Sequence, residues 1–584
     1  MGGQDLVMVA LSGVQRFIEE SRTTSDLRAG SRIIAELTAQ AVSVCEASKA
    51  ELVFPTSARE EVGMPNRVVA LAPAGQGTAL ARKASERVRE CWQDWLRRFL
   101  GRDEDTPGMP AVTWVVVPPR EGGYPEQWRE AQRRLVARKQ VRDFAALEVR
   151  SAGLCQLSPR WPATRPPRQN LRPFERDTLS AANWVKRERG RHHSGIASTY
   201  GIASAPFRAA VLEQMGCPRV STVVDDLREA VKEAGVGIPG RPLPGMAKPR
   251  GEAAQWLWRD GGQWVYPDSW SAESLARQLG KPTSGAEFTD FRDVVALGRM
   301  AAANLQKVME EKFQVAPPAS YLAVLAQDLD DMGSHLSRKT KKENLSRKRH
   351  AEISDQLRRV AEKQTSLLRD PAQLGVEVYA GGDDLLAFLP AATALAGARA
   401  CKKAVTEVSA DLPDASSALL FFHRRYPLRL ALAASRAALA AAKSVPGKHA
   451  LAVGYLRRSG TQETYVRKWV PDPSNPEMLV CDYLSDFTRS GMQTARLSPG
   501  LLRDLERDAP ALFGLSPDTF AAELQRLIYR HTSAPTDHQR KEFALRAADR
   551  LRILGLSDGA SPTKSEQTLI AAARVGVFLR QECR

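Results

Sequence analysis

The sequence predicts an α+β chain of several domains, built around two ferredoxin-like βαββαβ units, each followed by a mainly helical stretch. Three observations carry this. At 584 residues the chain exceeds what one core organises, and roughly three to five domains of ~100–200 residues are expected. One order of apolar strands and amphipathic helices occurs twice along it. The last part of the chain has apolar residues at helical spacing.

Residues 1–150 are read as the first unit. Leu6–Leu11 is a short apolar strand and Ser12 an N-cap, and Val14, Phe17 and Ile18 share one helix face. A second helix starts near Ser25-Asp26. Strands follow at Glu51–Phe54 and Arg67–Leu71, then a charged helix at Ala79–Leu100 and a strand at Ala111–Val117. This is the split-βαβ order. Residues 151–315 open on a Pro/Arg-rich loop, Ser158–Arg176. Ala181–Arg191 is a basic helical piece, and Gly235–Arg250 is irregular. Trp256, Trp258, Trp264 and Trp270 mark a small hairpin turning at Asp260-Gly261-Gly262, held by aromatic packing.

Residues 316–460 repeat the order. Strand Tyr321–Gln327 leads into a helix that takes in the basic run Arg338–Arg349. The hairpin Val376–Ala380 and Leu385–Leu389 follows, then helix Ala391–Ala410 and strand Ser417–Phe422. Helix Leu428–Ala442 and strand Ala450–Leu456 extend the unit. Residues 461–584 are mostly helical, around Leu501–Leu505, Phe520–Tyr529, Glu542–Leu554 and Thr568–Leu579.

Composition narrows the function classes. A formal charge of +17 and a pI near 9.7 point to a polyanionic partner. No stretch reaches the ~18 consecutive apolar residues of a membrane span, and Met1–Asp5 lacks a basic signal-peptide n-region. A cytoplasmic protein with no membrane partner is expected. Seven widely spaced cysteines without a CxxC pair argue against a disulfide framework or a four-thiolate zinc site.

The chemistry concentrates in the second unit. Strand Tyr321–Gln327 ends in Asp328-Leu329-Asp330-Asp331, and the hairpin turns at Gly381-Gly382-Asp383-Asp384. In a ferredoxin-like sheet the first strand lies beside the third, so these two acidic ends meet on one edge. Asp328, Asp383 and Asp384 are the candidate catalytic and metal-binding side chains, with the Leu329 carbonyl as a further hard oxygen ligand. Such a set suits two Mg²⁺ (or Mn²⁺) ions, one activating a ribose hydroxyl and one steadying a leaving pyrophosphate. Gly381 and Gly382 leave space for a nucleotide, and Lys443 and Lys448 are placed to neutralise its triphosphate. Asp330 and Asp331 are also read as possible N-caps. The first unit offers Leu11-Ser12-Gly13-Val14-Gln15 at the matching strand end, with no carboxylate.

These residues resemble the large subunit of type III CRISPR RNA-guided effector complexes, closest to the Cmr (III-B) type. The resemblance runs through Ser12–Ile18, Arg22–Ser31, Pro65-Asn66-Arg67, Ile202–Phe207, Asp328–Gly333, Gly381–Asp384, Pro427-Leu428-Arg429 and Lys443–Leu451. It implies two Palm domains, at 1–150 (non-catalytic) and 316–460 (catalytic). A helical domain with a degenerate zinc motif is implied at 151–315, and a helical domain that contacts small subunits at 461–584. It further implies ATP as substrate, cyclic oligoadenylate as product, and Ser12 and Gln15 beside the nucleotide. Guide RNA, target RNA and other Cmr-type subunits are the implied partners, in antiviral defence. The family's His-Asp nuclease is not expected here, since the first histidine is His192. Of the family's four zinc cysteines, only Cys155 remains among Cys155–Ser158 and Ser180–Asn183, so zinc is not expected; His192-His193 reads as a solvated basic loop. The alternatives are a catalytically silent RNA-binding scaffold and a free-standing nucleotide cyclase.

Overall fold

Two β-sheets, each backed by helices, face one another across a cleft. A computed structural model describes residues 3–57, 64–106, 108–141, 153–168, 171, 176–193, 195–337, 345–488, 495–556 and 562–583. The chain is a mixed α+β, multidomain protein.

The first sheet holds β1 (Gln4–Ser12), β2 (Glu51–Phe54), β3 (Arg67–Pro73) and β4 (Ala111–Val117), in the order β2-β3-β1-β4 with every neighbour antiparallel. β1 is buried on both faces because it is central and covered on either side. Helices Thr24–Ala47 and Gly77–Leu100 close one face around Ile33, Leu37, Ala84 and Trp92. Helix Gly123–Gln140 closes the other with Trp128 and Leu135. Thr23 and Asp26 form a capping box that starts the first of these helices. Ser12 is the last residue of β1 rather than an N-cap; the cap position falls to Gly13, at φ 71°.

The second sheet is larger. It comprises β5 (Tyr321–Leu329), β6 (Val376–Gly381), β7 (Asp384–Pro390), β8 (Ala415–His423), β9 (Ala450–Leu456) and β10 (Gln462–Lys468), ordered β10-β9-β8-β5-β7-β6. All pairs are antiparallel except β8 with β9, which helix Leu428–Lys443 joins as a parallel crossover. The first four strands of each sheet thus share one order and one set of directions. Helices Arg347–Leu368 and Ala394–Val408 back this sheet. C-terminal helices Gly500–Leu512, Pro517–Arg530, Asp537–Gly555 and Pro562–Glu582 continue the same core, where Phe578 stacks on Tyr455 at 4.3 Å. A short pair, β11 (Arg496–Leu497) and β12 (Thr532–Ser533), interrupts these helices.

The packing runs across residues 150 and 460. Cys155, Leu179 and Trp184 are buried in the first sheet's core, and β10 pairs with β9. The residues around the four tryptophans are not a hairpin. Glu252–Arg259 is a helix that buries Ala254 and Leu257, and Asp260-Gly261-Gly262 ends it. Trp264 and Trp270 do pack together, and Gly298 lets Trp270 lie against helix Ala286–Phe313, where an added Cβ would stand 2.1 Å from the indole. The basic helix expected at Ala181–Arg191 forms as Ala181–His192, and it is largely buried. Of the basic run 338–349, residues 338–344 lie outside the described residues; Arg347 reaches Glu51 on β2 at 2.6 Å.

Candidate active site between the two sheets

The β6–β7 hairpin closes with Gly381 paired to Asp384, so Gly382 and Asp383 form a two-residue loop. Gly382 has φ +62°, a conformation glycine adopts without penalty, and a Cβ there would meet nothing within 4 Å. Asp384 lies directly opposite Asp328 on β5, and the Leu329 N–H donates to the Asp383 carbonyl at 2.9 Å. The two acidic strand ends therefore meet.

Their electrostatics follow from crowding. The Asp384 and Asp328 carboxyls reach hydrogen-bond distance, and burial together with Asp383 and Asp328 pushes Asp384 up to about 8. Burial and Asp328 also raise Asp383, against Lys443 and Arg67. Lys443 Nζ is ion-paired to Asp328 Oδ1. Lys448 Nζ sits on Asp331 Oδ1 at 2.6 Å. Neither Asp330 nor Asp331 caps a helix through its side chain. Asp331 holds the N-cap place of a short turn at φ 56° with no side-chain capping bond to that turn. Asp330 is buried and accepts from Ser416 Oγ (2.9 Å) and the His449 N–H (3.0 Å).

A cleft of about 740 Å³ opens over this hairpin. The second unit lines it with Tyr379–Asp384 and the first with Ser12, Gln15, Asn66, Arg67 and Lys139. Ser12 and Gln15 are thus brought to the predicted carboxylates, whereas Lys443 and Lys448 stand behind them, on Asp328 and Asp331. Arg28, Arg67, Lys139 and Arg436 reach the cleft and were not among the site residues expected from the sequence, although Arg28 and Arg67 lie in the motifs that carry the resemblance.

Arg67 has a readable place in the duplication. In the first sheet Ala10 opposes Arg67, and the Leu11 N–H donates to the Asn66 carbonyl at 2.9 Å. In the second, Asp328 opposes Asp384, and Leu329 bonds Asp383 in the same way. Asn66-Arg67 therefore stands where the second unit has Asp383-Asp384. Arg67 feels Asp383 as an attractive charge across the cleft, although burial, the larger effect, lowers its pKa. Aligning the strand ends of the two units in sequence would have exposed this exchange.

Among the described residues no group of three or more His, Cys, Asp or Glu forms a ready-made metal cluster. The chemistry of the donors still fits one kind of ion. The contacting Asp328 and Asp384 carboxyls, with Asp383 beside them, are hard oxygen donors whose mutual repulsion a divalent cation would relieve. At the degenerate zinc motif, Cys155 Sγ accepts from Asn183 Nδ2 at 3.5 Å, which also contacts Ser180 Oγ. His192 ends its helix, half-exposed beside Glu188.

Two family models match the chain. The second palm domain of Cas10/Cmr2 covers residues 321–452, and the N-terminal domain of the CRISPR-associated protein Cmr2 covers residues 6–97. Over these two stretches the chain is similar to the Cas10/Cmr2 family. The CRISPR system Cmr subunit Cmr2 of Pyrococcus furiosus is 32% identical over 183 residues, which span 27% of this chain and 21% of that relative. Two solved structures share the fold of this chain at 13% identity. The type III-B Cmr-beta apo state matches with a TM-score of 0.56, over 94% of this chain and 82% of the other. Cmr-beta bound to cognate target RNA matches with 0.59, over 99% and 83%. No helix among the described residues is long and apolar enough to cross a membrane.

Proposed function

We propose that this chain is the catalytic large subunit of a type III-B-like CRISPR effector, making cyclic oligoadenylate from ATP when the assembly binds target RNA. The observation that carries this is that Asp328 on β5 lies opposite Asp384 at a glycine turn whose Asp383 and Asp384 line a cleft with a basic opposite wall. In this reading the two sheets belong to two ferredoxin-like Palm domains, which their common strand order supports.

Asp328, Asp383 and Asp384, with the Leu329 carbonyl, would hold Mg²⁺ or Mn²⁺. When bound, such a cation supplies charge neutralisation at the phosphates and a more acidic attacking hydroxyl. Gly381 and Gly382 leave the turn open to the nucleotide, since a side chain at Gly382 would project into free space. Ser12 and Gln15 face a second nucleotide from the first sheet, and Arg67 sets a guanidinium where the second unit has a carboxylate, suited to phosphate. Lys443 and Lys448 offset the acidic cluster from behind. A ribose 3′-hydroxyl attacks the α-phosphate of the next ATP in line; the new P–O bond forms as pyrophosphate leaves.

Guide RNA, target RNA and other Cmr-type subunits are the proposed partners, and the +17 charge supports a polyanion. The C-terminal helices are the proposed seat of the small subunit. The test is incubation of the assembly with labelled ATP, Mg²⁺ and matching target RNA, beside the Asp383→Ala plus Asp384→Ala variant. Cyclic product from the parent, and at least ~10³-fold less from the variant, is expected. No product from the parent overturns the proposal in favour of a silent scaffold; product without RNA points to a free-standing cyclase.

A further inference from the structure

We infer that Arg28, on the first unit, is a positioning residue that sets the aim of the Asp383–Asp384 hairpin; its role in catalysis rests on the function proposed above. β6 slips out of register with β7 between Glu377 and Tyr379. Such a bulge bends a strand and leaves backbone groups outside the ladder. Here it comes just before Gly381, so its geometry fixes where the loop points.

Arg28 fills the irregularity from helix Thr24–Ala47. Its Nη1 donates to the Val378 carbonyl at 2.8 Å and to the Glu377 carbonyl at 3.0 Å, and its Nη2 lies 2.8 Å from Glu377 Oε1. Glu377 is 2% exposed, and its Oε2 accepts from Arg369 Nε at 3.1 Å. Burial alone would raise this carboxyl, but the Arg369 bond and the Arg28 charge hold it below the usual range. One carboxylate on the bulged strand is thus locked between guanidiniums of the two units. A guanidinium fork serves two carbonyls and a carboxylate together; an ammonium cannot span all three. Removing Arg28 leaves the strand to relax, and a displacement near 1 Å at reacting groups costs about 100-fold in rate.

The test is hydrogen exchange on the full chain, comparing the parent with Arg28→Met and Arg28→Lys. Amides of residues 376–386 are expected to exchange about tenfold faster or more in Arg28→Met, with β5 and β8 as protected as in the parent. Arg28→Lys should give the same localised pattern at smaller amplitude, and it serves if Arg28→Met fails to fold. In the assembly with ATP, Mg²⁺ and target RNA, Arg28→Met should lower kcat by about 100-fold while KM moves less than about threefold, with partial rescue in Arg28→Lys. Unchanged exchange in the hairpin overturns the inference, as does faster exchange spread through the whole sheet. A KM that rises in step with the lost activity overturns it too, making Arg28 a direct nucleotide contact. If the parent makes no product, the synthetase proposal falls while the exchange experiment still decides Arg28.

Discussion

Lys186 lies in a stretch that is basic along the chain, yet its ammonium is wholly buried. It donates to the carbonyls of Phe17 (2.7 Å) and Glu20 (2.6 Å), at the end of the helix that begins beside Ser12 and Gln15. The cation sits where a helix presents its unpaired carbonyls and its negative dipole end. Lys186→Met is expected to cost about 1–3 kcal/mol in chemical denaturation, because two buried acceptors lose their donor. Burial lowers the ammonium to about 8 from 10.5, against the pull of Asp26 and Glu20. Between these values the unfolded chain holds more protons than the folded one, so stability should rise with pH in the parent relative to the variant. Equal slopes from pH 8 to 10.5 would show that Lys186 titrates normally. Asp328, Asp383 and Asp384 were legible as candidates because strand ends and a Gly-Gly turn mark them locally. Arg28, Arg67 and Arg436 were not, since only the apposition of two units distant in sequence gives them a place at the cleft.

At the scale of elements, the hairpin tests how much the glycine turn matters. Gly382→Ala places a Cβ in open space, so the cost is conformational: about 1–2 kcal/mol for a left-handed residue. Gly382→Asn should lose less, because asparagine visits that region more readily. Denaturant midpoints with unchanged m-values would check both; an Asn variant worse than Ala would mean the turn rejects side chains for space instead. The strands around this turn were readable because their apolar runs are continuous, as in β5 and β9, buried on both faces. β10 escaped notice because it is an edge strand, Gln462–Lys468, with only Tyr465 fully buried. The tryptophan segment misled for another reason. A Gly-Gly pair after an aromatic run signals a hairpin or a helix end equally well, and packing against helix Ala286–Phe313 settles it as the latter.

At the scale of the molecule, the cleft exists because two sheets of matching order meet with unlike edges, acidic on one side and Asn66-Arg67 on the other. The contact depends on charged groups that cross between the units. Glu19 ends the helix beside Ser12, and its carboxylate meets Arg436 Nη1 at 2.5 Å on helix Leu428–Lys443. Burial outweighs that partner and raises Glu19 from 4.5 to about 7. A carboxyl whose folded pKa exceeds its unfolded value binds its proton more tightly in the folded state. Its contribution is full below pH 4.5 and is lost as pH rises through 7. The parent should therefore lose stability between pH 4.5 and 7 relative to Glu19→Gln, which keeps the neutral shape, and the gap should level off above pH 7. Arg436→Met should steepen the same loss, because the ionised Glu19 then has no cation across the boundary. Denaturant unfolding across that range measures both, and curves for parent and Glu19→Gln that run parallel would show that burial at the boundary does not act on Glu19. The sign matters for the cleft: around pH 7 Glu19 passes from carboxyl to carboxylate, and the buried carboxylate that forms has Arg436 as its charge partner across the boundary.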